Sequence, residues 1–274
     1  MVIVTSAQQS EPAPRSKTRE RQRELVRILT SSNGVMVDNQ ELASRVGVSI
    51  ATLRRDLRQL ETSGVVERGH GGVVLSSANR ASAMTERQMH ARSEKMAIAR
   101  AAAELVHDGD LVILDAGSTA EEVAEEIGPK NITVVTNGIR SINRLALHEN
   151  VQVMVLGGYL RGSNGTICGG EAEDMVSRVH GDIAFVGAVR VSPRRGIASL
   201  TYDQARLKSL MMSQAKRVCV IADSSKFSDD DEYPYWSPMP ASWMLITDRN
   251  ANAHHLEMLR AQGADQITFV DPQD

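Results

Sequence analysis

Leu25, Val26, Ile28 and Leu29 set an apolar stripe at helical spacing in an otherwise charged stretch, which predicts a helix from about Thr18 to Ser32. Asn33-Gly34 breaks it. Val35-Met36-Val37 reads as a short extended piece, and Asp38 or Asn39 suits the cap of a second helix over Gln40 to Val46. Gly47 supplies a turn, and Ser49 is placed to cap a third helix that ends near Thr62. In that helix Ile50, Leu53, Leu57 and Leu60 form one apolar face. Two β-prone runs follow, Val65 to Arg68 and Val73 to Leu75, with Gly69-His70-Gly71-Gly72 as the hairpin turn. From Glu94 the pattern changes. A helix from Glu94 to His107 leads into short apolar strands alternating with helices: Leu111–Leu114, helix 119–127, Ile132–Val135, helix 138–147, Val151–Leu156, Ile183–Val186, helix 204–215, Val218–Ile221, Trp243–Ile246, helix 252–262 and Ile267–Val270. Such alternation is that of an α/β domain with a mainly parallel sheet; it leaves the strand order open.

At 274 residues the chain is long enough for two domains. The pattern divides it into a tail (1–14), a helix-turn-helix with a wing (15–75), a linker (76–93) whose Ser76–Ser82 portion is small and polar, and the α/β domain (94–274). A short helix within Met84–Ser93 is expected to lead into the second domain. Aromatics make up only 3%, so the cores must rest on aliphatic side chains and Met. No apolar run approaches the roughly 20 residues of a membrane helix, and Met1–Pro14 lacks the features of a secretory signal, so the expectation is a cytoplasmic chain without a membrane partner. Cys168 and Cys219 have no ligand spacing and read as buried reduced thiols; neither metal nor cofactor is expected.

The net charge of −3 hides an asymmetry. From Arg15 to Leu75 eleven basic residues face seven acidic ones, a surplus of four on an acidic remainder. Charge alone is weak, but the third helix sharpens it. Thr52, Arg54, Arg55 and Arg58 lie mostly off its apolar stripe near the helix start, where a recognition helix touches base edges and phosphates. Arginine serves both contacts, since its fork takes guanine O6 and N7 together or grips a phosphate. With Ser49 at the cap and Arg68 and His70 in the wing, these residues are the DNA-binding candidates. Asp56 inside this basic helix reads as an intramolecular partner for a neighbouring arginine.

In open α/β sheets ligands bind beyond the carboxyl ends of the strands. There the chain carries Asp115-Ala116-Gly117-Ser118-Thr119, which opens a helix and can cradle a phosphate on backbone N–H groups. Thr136-Asn137-Gly138 opens another helix, Leu156-Gly157-Gly158 leaves room for a ligand, and Ala222-Asp223-Ser224-Ser225-Lys226 follows a later strand. Lys226 offers a point charge for phosphate; Asp115 and Asp223 can accept sugar hydroxyls.

Val48-Ser49, Thr52-Leu53-Arg54-Arg55-Asp56-Leu57, Leu60-Glu61, Gly64 and Arg68-Gly69-His70-Gly71-Gly72 together resemble the DNA-binding part of the DeoR family of repressors. Glu94-Lys95, Asp115–Thr119, Thr136-Asn137, Gly157-Gly158 and Asp223–Phe227 extend the resemblance over the α/β domain. It implies a sensor domain similar to ribose-5-phosphate isomerase and the CoA transferases, with a phosphorylated sugar as effector. By this resemblance Gly117, Ser118 and Thr119 hold the phosphate, while Asp115, Asn137 and Lys226 shape the rest of the pocket. One departure concerns Gln204, which stands where the family usually carries Glu ahead of Ala-x-x-Lys, here Ala205 and Lys208.

The reading that follows is a regulator of carbohydrate-metabolism genes, a repressor, with double-stranded operator DNA and a phosphorylated sugar as partners and a homo-oligomer, dimer or tetramer, as its working form. No catalytic residue is assigned. A sugar-phosphate isomerase with an accessory DNA-binding domain, with Asp115 or Asp223 as base, is the rival, and a regulator sensing a non-phosphorylated ligand is the third reading. Ser228–Pro240 reads as a variable surface loop in preference to a lid, Arg194-Arg195 as a solvated pair, and His254-His255 as surface residues.

Overall fold

The computed structural model describes residues 14–32, 36–69, 72–76, 91–161, 164–227 and 233–272. Its contacts divide the chain into two compact units, Met1–Ala83 and Met84–Asp274. The tail 1–13, most of the linker (77–90), the Asn33-Gly34 break and the His70-Gly71 tip lie outside the described residues. Among the described residues no helix is long and apolar enough to cross a membrane.

The first unit consists of α1 (Pro14–Ser31), β1 (Val37–Asp38), α2 (Asn39–Val46), α3 (Ile50–Thr62), β2 (Val66–Gly69) and β3 (Gly72–Leu75). Of the two cap candidates Asp38 is used: its Oδ1 accepts the N–H groups of Gln40 (2.7 Å) and Glu41 (3.2 Å). Gly47 ends α2 at φ 67°, a left-handed conformation that favours glycine, so α3 can start almost at once. Leu25, Leu29, Leu42, Leu53 and Leu57 are fully buried in one cluster spanning α1, α2 and α3, each contributing about 1.5–3 kcal/mol. The antiparallel sheet has the order β1-β3-β2, and its hairpin pairs Gly69 with Gly72.

The second unit opens with α4 (Arg92–Glu104) and β4 (Leu111–Leu114), followed by α5 (Ser118–Ile127), β5 (Ile132–Thr136), α6 (Ile139–Leu145) and β6 (Val151–Val155). A hairpin, β7 (Tyr159–Arg161) and β8 (Thr166–Cys168), precedes α7 (Gly170–Ser177) and β9 (Gly181–Gly187). Then come β10 (Val191–Ser192), β11 (Gly196–Ser199), α8 (Tyr202–Ser213), β12 (Ala215–Ile221), β13 (Tyr235–Ser237), β14 (Trp243–Asp248), α9 (Ala253–Ala261) and β15 (Ala264–Val270). Seven strands form a parallel sheet in the order β15-β14-β12-β9-β4-β5-β6.

Both faces of this sheet are covered, which is why its strands read as continuous apolar runs rather than as alternation. Val112 and Leu114 point into one core with Ile98, Ala102 and Val123, whereas Ile113 between them packs with Ala172, Val176, Leu207 and Met211. A third cluster gathers round Trp243, Leu245, Leu256 and Leu259. The chain winds outward from β4 through β5 to β6, returns to β9 on the other side of β4, and continues to β12, β14 and β15. The direction of winding therefore reverses between β4 and β9.

Three readings change. Tyr235–Ser237, within the segment taken as a surface loop, is a strand paired antiparallel with β11 in a small β10-β11-β13 sheet; residues 228–232 lie outside the described ones. His255 is buried on the inner face of α9 beside Leu256 and Leu259, although His254 is exposed. The helix after the linker begins at Arg92. Both cysteines are buried and free, as read.

Candidate functional site

The start of α3 is fixed by its cap. Ser49 Oγ accepts the Thr52 N–H (3.2 Å) and lies 3.0 Å from Thr52 Oγ1, so these two side chains hold each other and the first turn. Leu53, Leu57 and Leu60 anchor the inner face. Asp56 is on that face too, and its partner is Arg21 of α1: the guanidinium takes Oδ2 and Oδ1 at 2.5 and 3.0 Å. The Arg21 pKa is raised, first by this hydrogen bond, against the lowering effect of burial. Arg54, Arg55 and Arg58 are left exposed on the outer face, without ion pairs among the described residues.

Arg68 extends from β2 to within 3.8 Å of Glu61 at the end of α3, linking wing and helix. A Cβ on Gly72 would lie 2.5 Å from the Val37 carbonyl oxygen, so this glycine is needed for the approach of β3 to β1. His70 lies outside the described residues.

In the second unit the reversal of winding between β4 and β9 opens the crevice where α/β sheets bind ligands. Asp115 sits there, buried, with its Oδ2 accepting the Gly187 N–H (3.2 Å) and the ammonium of Lys208, which also donates to the Gly187 carbonyl (2.7 Å). Lys208 is thus committed to the two central strand ends. Next to it Gly117 (φ 147°) precedes α5, whose N-terminus has no capping side chain. The first N–H groups of α5 lie at this uncapped terminus, an arrangement that can cradle an anion, with Ser118 half-buried and Thr119 buried in the first turn. A Cβ on Gly138 would lie 3.1 Å from Ala116 Cα, so the β5–α6 turn adjoins this cradle directly.

The remaining candidates separate by role. Thr136 Oγ1 accepts the Gly138 N–H (3.1 Å) and shapes the turn. Asn137 is buried; its Nδ2 donates to the Ile167 carbonyl (3.1 Å), while its Oδ1 has no partner. Gly158 (φ 121°) lets the backbone approach the Cys168 carbonyl, 2.5 Å from where a Cβ would be, and the Gly157 N–H meets Met175 Sδ at 3.2 Å. Asp223 caps its own short turn through the Ser225 N–H (3.2 Å) and hydroxyl. Lys226 Nζ lies 3.9 Å from Asp223 Oδ2, beyond the end of β12, with β9 between that strand and β4.

Sequence reasoning did not single out Lys95 as a site residue. It is buried in the first turn of α4, where burial pushes its pKa down while Asp223 opposes that shift and Lys226 adds to it. The signal was available: a lysine three and four positions before Ile98 and Ala99 falls on the buried stripe of its helix. Arg161, at the end of β7, had no comparable mark. Its buried Nε lacks a hydrogen-bond partner. A cleft of about 440 Å³ between α8 and β13, lined by Tyr202, Arg206, Tyr235 and Trp236 among others, includes none of these residues.

Residues 21–79 match the DeoR-like helix-turn-helix domain, and residues 90–249 match the DeoR C terminal sensor domain. The chain is 33% identical to the HTH-type transcriptional regulator GlpR of Haloferax volcanii over 92% of its own length and 97% of that protein. It is 31% identical to a putative aga operon transcriptional repressor of Escherichia coli O157:H7 (91% and 93% covered), and 28% identical to the glycerol-3-phosphate regulon repressor of Escherichia coli K12 (81% and 91%). Among solved structures, ribose 5-phosphate isomerase A of Methanocaldococcus jannaschii overlaps 50% of this chain and 55% of its own at a TM-score of 0.37 and 21% identity, too slight a likeness to carry an argument. With both family domains in order along one chain, and relatives matched over nearly their whole length, this protein belongs to the DeoR family of transcriptional regulators.

Proposed function

We propose that the chain represses carbohydrate-metabolism genes by binding double-stranded operator DNA through α3 and the β2–β3 wing, and that a phosphorylated sugar at the carboxyl end of β4 controls that binding. The observation that carries the DNA half is the division of α3: a buried face locked by Leu53, Asp56 and Leu57, and an outer face of three arginines without ion pairs among the described residues. Such a helix is rigidly held and electrostatically unsatisfied, as a groove reader needs to be. Repressors of a glycerol-3-phosphate regulon and of an aga operon among the relatives support the repressor reading. Two copies reading half-sites about one DNA turn apart are the simplest working form, in the cytoplasm with the operator.

For the effector, the uncapped α5 N-terminus beside the β4–β9 crevice supports a phosphate at Gly117, Ser118 and Thr119. The sugar extends past Asn137, with Lys226 and Lys95 adding positive charge on the β12 side. The isomerase reading finds less support, because the Asp115 carboxylate is engaged by Lys208 and Gly187 and Asp223 Oδ1 by the Ser225 N–H and hydroxyl, which leaves only the buried Asp223 Oδ2, 3.9 Å from Lys226 Nζ, for a base. The test is fluorescence-polarisation titration of the full chain and its Arg55→Ala variant against duplex DNA from upstream of its own gene, at fixed salt. Loss of about tenfold or more in affinity with the same unfolding midpoint supports the assignment; wild-type affinity in the variant contradicts it.

A further inference from the structure

Four buried polar atoms without hydrogen-bond partners are carried by two adjoining segments at one corner of the second unit: Asn137 Oδ1 and Ser141 Oγ on one, Arg161 Nε and Asn164 Oδ1 on the other. The backbone ties their segments together. Gly138 bridges to Thr166, the Ile139 N–H donates to the Gly165 carbonyl (2.9 Å), and the Ile167 N–H donates to the Asn137 carbonyl (2.8 Å). The Asn164 and Gly165 N–H groups both donate to the Arg161 carbonyl (3.4 and 2.9 Å). The β5–α6 turn and the β7–β8 hairpin thus form one wall. Asn137 and Ser141 are 2% and 1% exposed. Buried polar groups are paired in nearly all cases, so four unpaired ones in one place point to something that pairs with them.

The corner adjoins the cradle. A Cβ on Gly138 would lie 3.1 Å from Ala116 Cα and 3.3 Å from Ser141 Oγ. Asp115, Arg161 and Lys208 all act electrostatically on the Cys168 thiol, whose pKa is pushed up to about 12, by burial first of all. The Arg161 guanidinium forms no ion pair among the described residues.

The chemistry of the four atoms is specific. A guanidinium only donates and matches carboxylate or phosphate oxygens; the amide oxygens of Asn137 and Asn164 only accept, and so call for hydroxyl donors; Ser141 can do either. We propose that this corner is a second subsite of the effector pocket, with Arg161 taking an anionic oxygen and Asn137, Asn164 and Ser141 taking neighbouring hydroxyls. This rests on the phosphosugar reading and narrows it: the effector carries one anionic group on the α5 cradle and another on Arg161, as in a sugar bisphosphate or a phosphorylated sugar acid.

Two matched pairs of probes test this by titration calorimetry on the full chain: glucose 6-phosphate against 6-phosphogluconate, and fructose 6-phosphate against fructose 1,6-bisphosphate. The wild type binds the doubly anionic member of at least one pair about tenfold or more tightly, the scale of one charge-assisted hydrogen bond. Arg161→Gln removes that preference, and Arg161→Lys, which keeps the charge without the fork, retains part of it. The same preference in Arg161→Gln, or no preference in the wild type while a monophosphate binds, overturns the subsite and leaves the phosphosugar reading intact. If no phosphorylated probe binds the wild type, both fall. Should Arg161→Gln not fold, Arg161→Lys with Asn164→Ala decides: unchanged affinity for the doubly anionic probes in both is the overturning result.

Discussion

Asp56 lies one residue from Arg55 and two from Arg54, yet its carboxylate turns inward to Arg21 of α1, 35 positions earlier. Charge on α3 is thereby sorted: the anion is consumed in holding the helix, and the cations stay exposed on the opposite face. Asp56→Ala strands Arg21 and opens a polar gap in the core, so it should cost about 2 kcal/mol in urea unfolding of the full chain. Arg54→Ala should leave the unfolding midpoint unchanged and lose about 1–3 kcal/mol of discrimination between operator and scrambled DNA, measured by competition. Identical competition curves would remove Arg54 from the reading face. Sequence made this face legible because apolar spacing marks the inner side and leaves the rest outside. The partner of Asp56 was not legible, since the distance from Arg21 is closed only by packing of α1 on α3. Arg161 escaped for a similar reason: what distinguishes it is the lack of a partner, which only a folded structure reveals.

Among the elements, the parallel strands were readable because burial on both sides makes them apolar throughout, as in Leu111-Val112-Ile113-Leu114. The strands missed were β7, β8, β10, β11 and β13, each of two to four residues, too short to show a period. α7 was missed as well; its start at Gly169-Gly170 reads as a loop. The turns between elements carry the functional argument. Gly117 adopts φ 147° with open space where a Cβ would be, so a side chain there is opposed by the backbone rather than by a neighbour. Gly117→Ala should therefore cost about 1 kcal/mol in stability and, by distorting the cradle, weaken phosphosugar binding more than it weakens folding. At Gly158 both penalties combine, because its Cβ would meet the Cys168 carbonyl oxygen. Gly158→Ala should lower the melting temperature visibly in a calorimetric scan, and an unchanged scan would contradict the packing of the turn onto β8.

For the molecule as a whole, a basic first unit and an acidic remainder were apparent from counting charges, and the change of periodicity near Glu94 separated the two. Strand order was not apparent, because a parallel sheet is assembled by long crossovers that leave no local mark. It is this order that places Asp115, Gly117 and Lys208 at one crevice. Burial also predicts chemistry across the second unit: the Cys168 and Cys219 thiols have raised pKa values, chiefly through burial. The stability this contributes is fully present below the ordinary thiol range and is lost as pH rises from that range towards the raised native values. Both should resist a thiol-specific reagent at pH 8 in the native chain and react at once in denaturant; rapid reaction of the native chain would contradict the packing of β8 and β12.

Coupling of a DNA-reading helix to a phosphosugar pocket in one chain is tested by operator binding in fluorescence polarisation at fixed salt, with and without a panel of sugar phosphates. Tight binding to DNA from the chain's own upstream region is expected, with a clear change in affinity on adding at least one phosphorylated sugar and none on adding the unphosphorylated sugars. Tight binding indifferent to the whole panel would contradict the coupling, and no sequence-selective binding would contradict the reading of α3.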